Sequence, residues 1–259
     1  MTEPLVQRLP ANSSGRDFIA GDLHGYPGVL HEFLTEQRFD PSAGDRLLLV
    51  GDLVDRGPEN LRALALLAEP GIHAVRGNHE EWLLAVVPPI LAGRSPDPKA
   101  ESLWGMNGGG WARDALRDGV QRQELAAATE RVRRLPYVLQ VGEGVHRYHV
   151  VHAELPPWVQ DAAIDAGLPD VDPEELVMSR AIMGAPNGIY PDERAGLSPT
   201  FAGHTPVDAP LTRSGITDLD AGLFVFGRLV IAEVAPQADT LRVRYHHHQV
   251  GTPGFRRAD

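Results

Sequence analysis

The sequence contains no cysteine among its 259 residues. Disulfides are therefore excluded, and so are thiolates as metal ligands or nucleophiles. Any bound metal must be held by oxygen atoms and imidazole nitrogens. Apolar runs long enough to span a bilayer are also missing, and the first ten residues, MTEPLVQRLP, lack the basic start and apolar centre of a signal peptide. These absences predict a cytoplasmic protein with no membrane partner.

Basic residues are outnumbered: 24 Lys and Arg stand against 35 Asp and Glu, for a formal net charge of -11. Nonspecific nucleic-acid binding needs cationic side chains to neutralise phosphates, so this balance predicts no nucleic-acid partner. The hydrophobic content of 42% is ordinary for a globular protein. With no internal repeat or low-complexity linker, we expect one domain spanning residues 1–259.

Three units of strand, polar loop and helix follow one another in the first third of the chain. Each apolar run, Arg16 to Ala20, Leu47 to Val50 and Ile72 to Val75, is followed directly by a polar motif: GDLHG, GDLVDRG and RGNHE. The pattern predicts a βαβαβ unit with a largely parallel sheet. Loops at the carboxyl ends of such strands are where α/β proteins bind ligands, which favours a functional site there.

Each motif alone also has a purely structural interpretation. Asp22 can form a turn, with His24 as an incidental surface histidine. Residues i and i+2 of an extended backbone face the same side, however, so these two side chains can also reach one ion. Asp55 can pair with Arg56 or cap a helix. Asn78 tolerates a left-handed turn. The three polar motifs occur at the same topological position, directly after a strand, and this repetition favours a functional site over a chance pattern.

Two further histidines stand at apparent strand ends in the second half. His152 follows the run Arg147 to Val151, and His204 follows Phe201 to Gly203. A helix is predicted from Pro173 to about Met178, with Asp172 as N-cap, which puts Arg180 just past its end.

The remaining segments give coarser predictions. We expect an irregular excursion over Val87 to Ser102, and a helical cap over roughly 90–135 that is equally compatible with a role at the site or in packing. A surface loop is predicted over Gly184 to Ser198. An antiparallel meander is expected from four apolar runs: Ile216 to Leu219, Leu223 to Phe226, Leu229 to Val234 and Leu241 to Tyr245. His246 to His248 continue the last strand and are not expected to form a metal tract.

The strand-end residues form a set of oxygen and nitrogen donors without sulfur: Asp22, His24, Asp52, Asn78, His152 and His204. Such a set suits two divalent ions of the manganese, iron or zinc type. One carboxylate can bridge two ions, and Asp52, on the middle motif, is the candidate.

The motifs GDLHG, GDLVDRG, RGNHE, VHAE and AGHTP, in that order, resemble the series found in calcineurin-like metallophosphoesterases, specifically the phosphoprotein phosphatase family of Ser/Thr phosphatases. NGGGW followed by LPYVLQV is similar to the bacterial and bacteriophage lambda-type members. Together the motifs span about Gly21 to Pro206. The resemblance implies an α/β fold, a sandwich of two mixed β-sheets flanked by helices.

The resemblance also implies a role for each matching residue. The first metal would be held by Asp22, His24 and Asp52, and the second by Asp52, Asn78, His152 and His204. His79 would act as general acid, paired with Asp55, while Arg56 and Arg180 would bind the phosphate. A hydroxide bridging two divalent ions, most often Mn²⁺, with Fe or Zn as alternatives, would attack phosphorus directly.

Three functions are compared on this basis. The first is a metal-dependent phosphomonoesterase acting on phosphoserine or phosphothreonine in proteins or peptides. The second is a symmetrical diadenosine tetraphosphate hydrolase, whose substrate is a dinucleoside polyphosphate. In that case a tryptophan could stack on adenine, although each could equally belong to the core: Trp82, Trp104, Trp111 or Trp158. The third is an inactive metal-binding scaffold, which should lack a ligand or the His-Asp pair.

Overall fold

The structure, a computed structural model, describes residues 5–250. Its strands are β1 (Val6–Leu9), β2 (Asp17–Ala20), β3 (Arg46–Leu49), β4 (Ile72–Ala74), β5 (Val138–Val141), β6 (Tyr148–Val151), β7 (Thr200–Ala202), β8 (Leu211–Arg213), β9 (Ile216–Asp218), β10 (Arg228–Gln237) and β11 (Thr240–Gln249). Its α-helices are α1 (Pro27–Glu36), α2 (Asn60–Ala65), α3 (Asn78–Leu91), α4 (Pro98–Met106), α5 (Trp111–Arg117), α6 (Gly119–Arg133), α7 (Asp161–Asp165), α8 (Pro173–Met178) and α9 (Leu223–Phe226). Within this range no helix has both the length and the apolar content needed to cross a bilayer.

The strands form two mixed sheets. The first has the order β11-β10-β2-β3-β4, with β2, β3 and β4 parallel as the sequence predicts. The second has the order β1-β5-β6-β7-β9-β8, with β6, β7 and β9 parallel. This arrangement confirms the predicted sandwich of two mixed sheets.

Side-chain alternation along the strands builds three cores. Ile19 and Leu48 of the first sheet pack with Leu139 and Val150 of the second, between the sheets. Their sequence neighbours point the other way, because successive strand residues face opposite sides. Phe18 and its neighbours therefore pack with α1 to α6. The outer face of the second sheet packs with α7 and α8 in the same manner.

The predicted excursion over Val87 to Ser102 is wrong at both ends, because α3 continues to Leu91 through Pro88 and Pro89 and α4 begins at Pro98. Proline disrupts a helix by removing an N–H and by crowding the preceding turn. Here both prolines lie in the last turn, so few of the helix's backbone hydrogen bonds lie beyond them. Buried Val86 and Val87 anchor the segment to the core.

The predicted meander is also wrong. The segment Leu223 to Phe226 is the short helix α9, which is bounded by Gly222 and Gly227 with φ of 73° and 66°. The strand β9 pairs in parallel with β7 in the second sheet, whereas β10 and β11 form a hairpin in the first. Apolar periodicity over four residues does not distinguish a strand from one helical turn, nor does it specify which sheet a strand joins.

Candidate active site

Parallel strands from both sheets direct their carboxyl ends toward one place. Five of the six predicted ligands lie in the loops that follow β2, β3, β6 and β7, and the sixth, Asn78, begins the helix after β4. Each is at most 5% exposed: Asp22, His24, Asp52, Asn78, His152 and His204. The site therefore lies across the seam between the sheets, and all six predicted ligands are brought together there.

Asp52 lies at the centre of this cluster. Its Oδ2 is 3.6 Å from His24 Nε2, and its Oδ1 is 3.3 Å from His152 Nε2. On the first side, Asp22 Oδ2 lies 3.8 Å from His24 Nε2. On the second side, Asn78 Oδ1 lies 2.9 Å from His152 Nε2. The two carboxylate oxygens of Asp52 thus face two separate groups of donors.

Two groups of three ligand atoms, each within 4.8 Å of one another, have the geometry to hold a cation: His24, Asp52 and His79, and Asp52, His152 and His204. Asp52 belongs to both groups. The first group contains His79, for which the family resemblance predicts a role in acid catalysis. Asp22, which was predicted as a ligand on this side, does not belong to the group. Its carboxylate lies 3.8 Å from His24 Nε2 and accepts the backbone N–H of His204 at 3.2 Å.

The loops carrying these groups have strained backbones. Positive φ angles occur at nine non-glycine residues between 5 and 250, and five of them are site residues: His24, Asp52, Asp55, Arg56 and His204. A left-handed conformation costs a non-glycine residue on the order of 1–3 kcal/mol and persists only where neighbouring contacts enforce it. Strain of this kind concentrates at functional sites.

Glu80 enforces the conformation of two of these loops. Its Oε2 accepts the backbone N–H groups of Asp52 at 2.8 Å and Gly77 at 3.0 Å, and its Oε1 accepts that of Leu53 at 2.9 Å. Glu80 was not predicted as a site residue. Its position three residues after the N-cap Gly77, where a capping box places Glu, is the sequence signal that identifies it.

The buried charges have pKa values suited to cation binding. Burial lowers the pKa values of His24, His152 and His204, that of His204 to about 3, so their ring nitrogens keep free lone pairs. Burial would raise the pKa of Asp52, but the four surrounding histidines outweigh it and lower the pKa. Neutral imidazoles around an ionised carboxylate form a donor set for divalent ions.

Two more buried carboxylates, Asp218 and Asp220, lie beside the cluster and were not predicted. Burial and then Asp220 and Asp52 hold the pKa of Asp22 well above its usual range, and burial raises that of Asp220 to about 6. A bound cation would reverse this effect, because positive charge favours the ionised carboxylate. The motif DLDAG after an apolar run repeats the pattern of GDLHG, and this signal was available in the sequence.

Asp55 pairs with His79 and not with Arg56. The Nδ1 of His79 lies 2.6 Å from Asp55 Oδ2, and both side chains are fully buried. Burial opposes a charge on His79, but the carboxylates of Asp52 and Asp55 outweigh burial and raise its pKa. The other ring nitrogen, Nε2, is buried and has no hydrogen-bond partner among residues 5–250.

Two arginines border the cluster. Arg56 is exposed; its Nη1 lies 2.8 Å from His24 Nε2, and its guanidinium stacks over the Phe224 ring at 4.2 Å. Arg180 follows α8 as predicted and donates from Nη2 to the carbonyl of His204 at 3.0 Å.

The turn that carries Arg180 is held by Glu154, the last residue of the VHAE motif. Its Oε1 accepts the backbone N–H groups of Ile182 and Met183 at 3.0 and 2.7 Å, and its Oε2 accepts the Ser179 hydroxyl at 2.8 Å. Glu154 was not predicted as a site residue.

The four tryptophans differ in environment. Trp104 is buried and donates from Nε1 to Asp55 Oδ2 at 2.7 Å, and Trp111 donates from Nε1 to Asp55 Oδ1 at 2.7 Å. Trp82 lies 4.7 Å from the His79 ring and, with Asn78, lines a cavity of about 360 Å³. Trp158 is 55% exposed. The helical cap, now defined as α4 to α6, thus contributes two side chains directly to the site.

Several known proteins are similar to this chain in amino-acid sequence. Residues 18–227 match the calcineurin-like phosphoesterase family. A Salmonella typhimurium protein named serine/threonine-protein phosphatase 1 is 34% identical over 238 residues, covering 90% of this chain and 98% of the relative. A Thioalkalivibrio sulfidiphilus protein named symmetrical bis(5'-nucleosyl)-tetraphosphatase is 48% identical over only 71 residues, covering 27% of this chain and 26% of the relative.

The fold is also known. A solved serine/threonine phosphatase from Saccharomyces cerevisiae superposes with a TM-score of 0.60 at 16% identity, covering 97% of this chain and 86% of that one. At this identity the likeness concerns the fold alone. The family match, by contrast, covers most of the sequence and all five motifs, so the chain belongs to the calcineurin-like phosphoesterase family.

Proposed function

We propose that this protein is a metal-dependent phosphomonoesterase that hydrolyses phosphoserine and phosphothreonine in proteins or peptides. The observation that carries the proposal is the Asp52 cluster, with an acid-base pair and two arginines at its border. A Ser/Thr phosphatase relative that matches nearly end to end supports the same substrate class.

Two divalent ions would be held by the predicted residues. Asp22, His24 and Asp52 are assigned to the first, and Asn78, His152 and His204 join Asp52 at the second. The fit is supported by the shared Asp52, the neutral imidazoles and the surplus of buried carboxylate. When bound, such ions supply Lewis acidity and lower the pKa of water toward neutrality. Manganese is our first choice of metal, with iron or zinc as alternatives.

The chain's own residues supply the remaining chemistry. Arg56 contacts His24 and Arg180 contacts His204, and both would bind the phosphate oxygens by charge-assisted hydrogen bonds. The departing alkoxide needs a proton, and His79 would donate it from Nε2, a buried nitrogen with no hydrogen-bond partner in the described part of the chain. Asp55 would hold Nδ1, keep the imidazole oriented and stabilise its protonated form.

The proposal is tested by metal readdition. Protein stripped with a chelator should be inactive and should release phosphate from a phosphoserine peptide after Mn²⁺ is added. Asp52→Asn should remain inactive at every metal concentration, because the residue common to both groups is changed. If wild-type protein hydrolyses no phosphopeptide with manganese, iron or zinc, the assignment is wrong.

A symmetrical diadenosine tetraphosphate hydrolase is the second candidate. It is favoured by the short 48% identical segment and by Trp82 beside the 360 Å³ cavity, where an adenine has an aromatic face available. Rates on a phosphopeptide and on diadenosine tetraphosphate, measured on one preparation, separate the two functions. The inactive scaffold receives no support, because every predicted ligand and the His-Asp pair are present.

A further inference from the structure

The Asp55 carboxylate accepts three N–H groups from three separate segments of the chain. His79 Nδ1 at the start of α3 and Trp104 Nε1 in α4 lie 2.6 and 2.7 Å from Oδ2, and Trp111 Nε1 in α5 lies 2.7 Å from Oδ1. Only the histidine belongs to the pair described above. The two indoles come from the helical cap, which otherwise packs on α3 and α2.

An indole N–H is a donor that neither titrates nor accepts. Two such donors, one on each oxygen, fix both the plane of the Asp55 carboxylate and its role as acceptor. The Oδ2 atom then remains in place to accept from His79 Nδ1, which leaves Nε2 as the nitrogen directed at the cluster. Without the indoles, the bond to His79 would be the one side-chain hydrogen bond left to orient this carboxylate among the described residues.

The backbone at this position requires external anchoring. Asp55 and Arg56 have φ of 74° and 70°, a left-handed conformation that neither residue type prefers. The Asp55 N–H donates to Asn60 Oδ1, which holds the main chain. The indoles hold the side chain, so the cap opposes relaxation of the strained loop at the residue that accepts from His79 Nδ1.

The glycine turn, Gly108–Gly110, is shaped to deliver these indoles. A Cβ on Gly109 would lie 2.3 Å from the Trp104 ring, and a Cβ on Gly108, whose φ is 104°, would lie 2.6 Å from the Arg56 nitrogen. A Cβ on Gly110 would meet nothing within 4 Å. The turn is therefore packed on Trp104 and on the Arg56 backbone.

We propose that Trp104 and Trp111 are positioning residues of the active site, which hold Asp55 in the orientation that directs the His79 imidazole at the leaving group. This inference rests on the proposed role of His79 as general acid. It assigns the cap a function in catalysis, a choice that the sequence left open.

The test uses Trp104→Phe and Trp111→Phe, which remove one N–H each and keep an aromatic ring, with Trp158→Phe as the exposed control. Rates are measured on aryl phosphates whose leaving groups range from nitrophenols to phenol, with metal content determined for each protein. A general acid contributes about 10²–10⁴-fold in rate. A misoriented His79 should slow the hydrolysis of phenyl phosphate by about tenfold or more, and that of the nitrophenyl ester much less. KM and metal content should stay unchanged, and Trp158→Phe should match wild type.

His79→Asn supplies the reference. It should show the same dependence on leaving group, and adding Trp111→Phe to His79→Asn should cause no further loss, since the indole acts through the missing imidazole. If the tryptophan variants slow good and poor leaving groups equally, or slow the His79→Asn protein further, the indoles support only the fold and the inference is wrong. If His79→Asn itself shows no dependence on leaving group, the general-acid assignment fails, and this inference fails with it.

Glycine variants provide a second route if the phenylalanine variants do not fold. Gly109→Ala should displace the Trp104 indole and reproduce the leaving-group dependence of Trp104→Phe. Gly110→Ala, in open space on the same turn, should behave as wild type. Equal rates for the two alanine variants on phenyl phosphate would overturn the inference.

Discussion

Glu80 and Glu154 are buried carboxylates that each accept bonds from three residues, yet their glutamine variants should differ sharply in stability. Around Glu80 all three partners are backbone N–H groups, of Asp52, Leu53 and Gly77, and none of them can accept. Either orientation of a glutamine amide puts its NH₂ group against a donor. Around Glu154 one partner is the Ser179 hydroxyl, which can reverse and accept from the amide, while the amide oxygen keeps Ile182 and Met183. Only the second contact of the Ile182 N–H, which is shared with Oε2 at 3.0 Å, is lost.

The expected magnitudes follow from this count. Glu80→Gln loses at least one hydrogen bond to a charged acceptor and leaves a buried N–H facing a donor, for a loss of about 2–4 kcal/mol in the free energy of unfolding. Glu154→Gln keeps one hydrogen bond to each of its three partners, in neutral form, and should lose about 1 kcal/mol. Because Glu80 holds the loops of Asp52 and Asn78, its variant should also bind metal more weakly.

Urea unfolding of both variants and wild type, with chelator and with saturating Mn²⁺, measures these quantities. Measurement at pH 8 keeps Glu80 ionised, since burial and then Asp52 raise its pKa to about 7. Glu154→Ala serves as the positive control, because it leaves the N–H groups of Ile182 and Met183 without the acceptor that glutamine still provides. Equal losses for the two glutamine variants, within about 0.5 kcal/mol, would refute the reasoning from donor and acceptor patterns.

Three further predictions concern metal, packing and pH. Asp52→Asn should lose both metals and Asn78→Ala only one, measured as bound manganese per chain; equal losses would contradict the assignment of Asp52 to both groups. Gly203→Ala should destabilise the protein and lower its metal content, because its Cβ would lie 2.0 Å from Asp22 Oδ1, whereas Gly119→Ala, with nothing within 4 Å, should unfold at the same urea concentration as wild type. Burial lowers the pKa of His149 to about 4, so the unfolded chain binds the extra proton between about pH 4 and 6.5, and stability must fall as pH falls through that window. His149→Gln should remove about 3 kcal/mol of this pH dependence; parallel stability curves for the two proteins would exclude it.

Local patterns at strand ends were sufficient to predict the parallel half of the first sheet, and they identified six candidate ligands that the structure brings together; their binding of metal remains a prediction. Motifs such as GDLHG combine a buried strand, glycine and metal-type side chains within a few residues, so their chemistry is visible locally. The pairing of Asp55 with His79 came from the family resemblance, because nothing in their spacing distinguishes it from a pair with Arg56.

Long-range contacts were not predictable in the same way. The indoles of Trp104 and Trp111 lie 49 and 56 residues from Asp55 along the chain, and no periodicity connects them. Leu223 to Phe226 is rich in residues that favour strands, yet two left-handed glycines close it into a helical turn. The expectation of a cytoplasmic protein and the choice of manganese remain predictions.

The position of the site across the seam has a consequence for synthesis on the ribosome. Asp22 meets His204 182 residues later in the chain, and β2 pairs with β10 from the far end of the protein. A nascent chain that has released only the GDLHG, GDLVDRG and RGNHE motifs has neither the second group of ligands nor the strand that borders β2. The second group of predicted ligands can therefore assemble only after His204 has emerged.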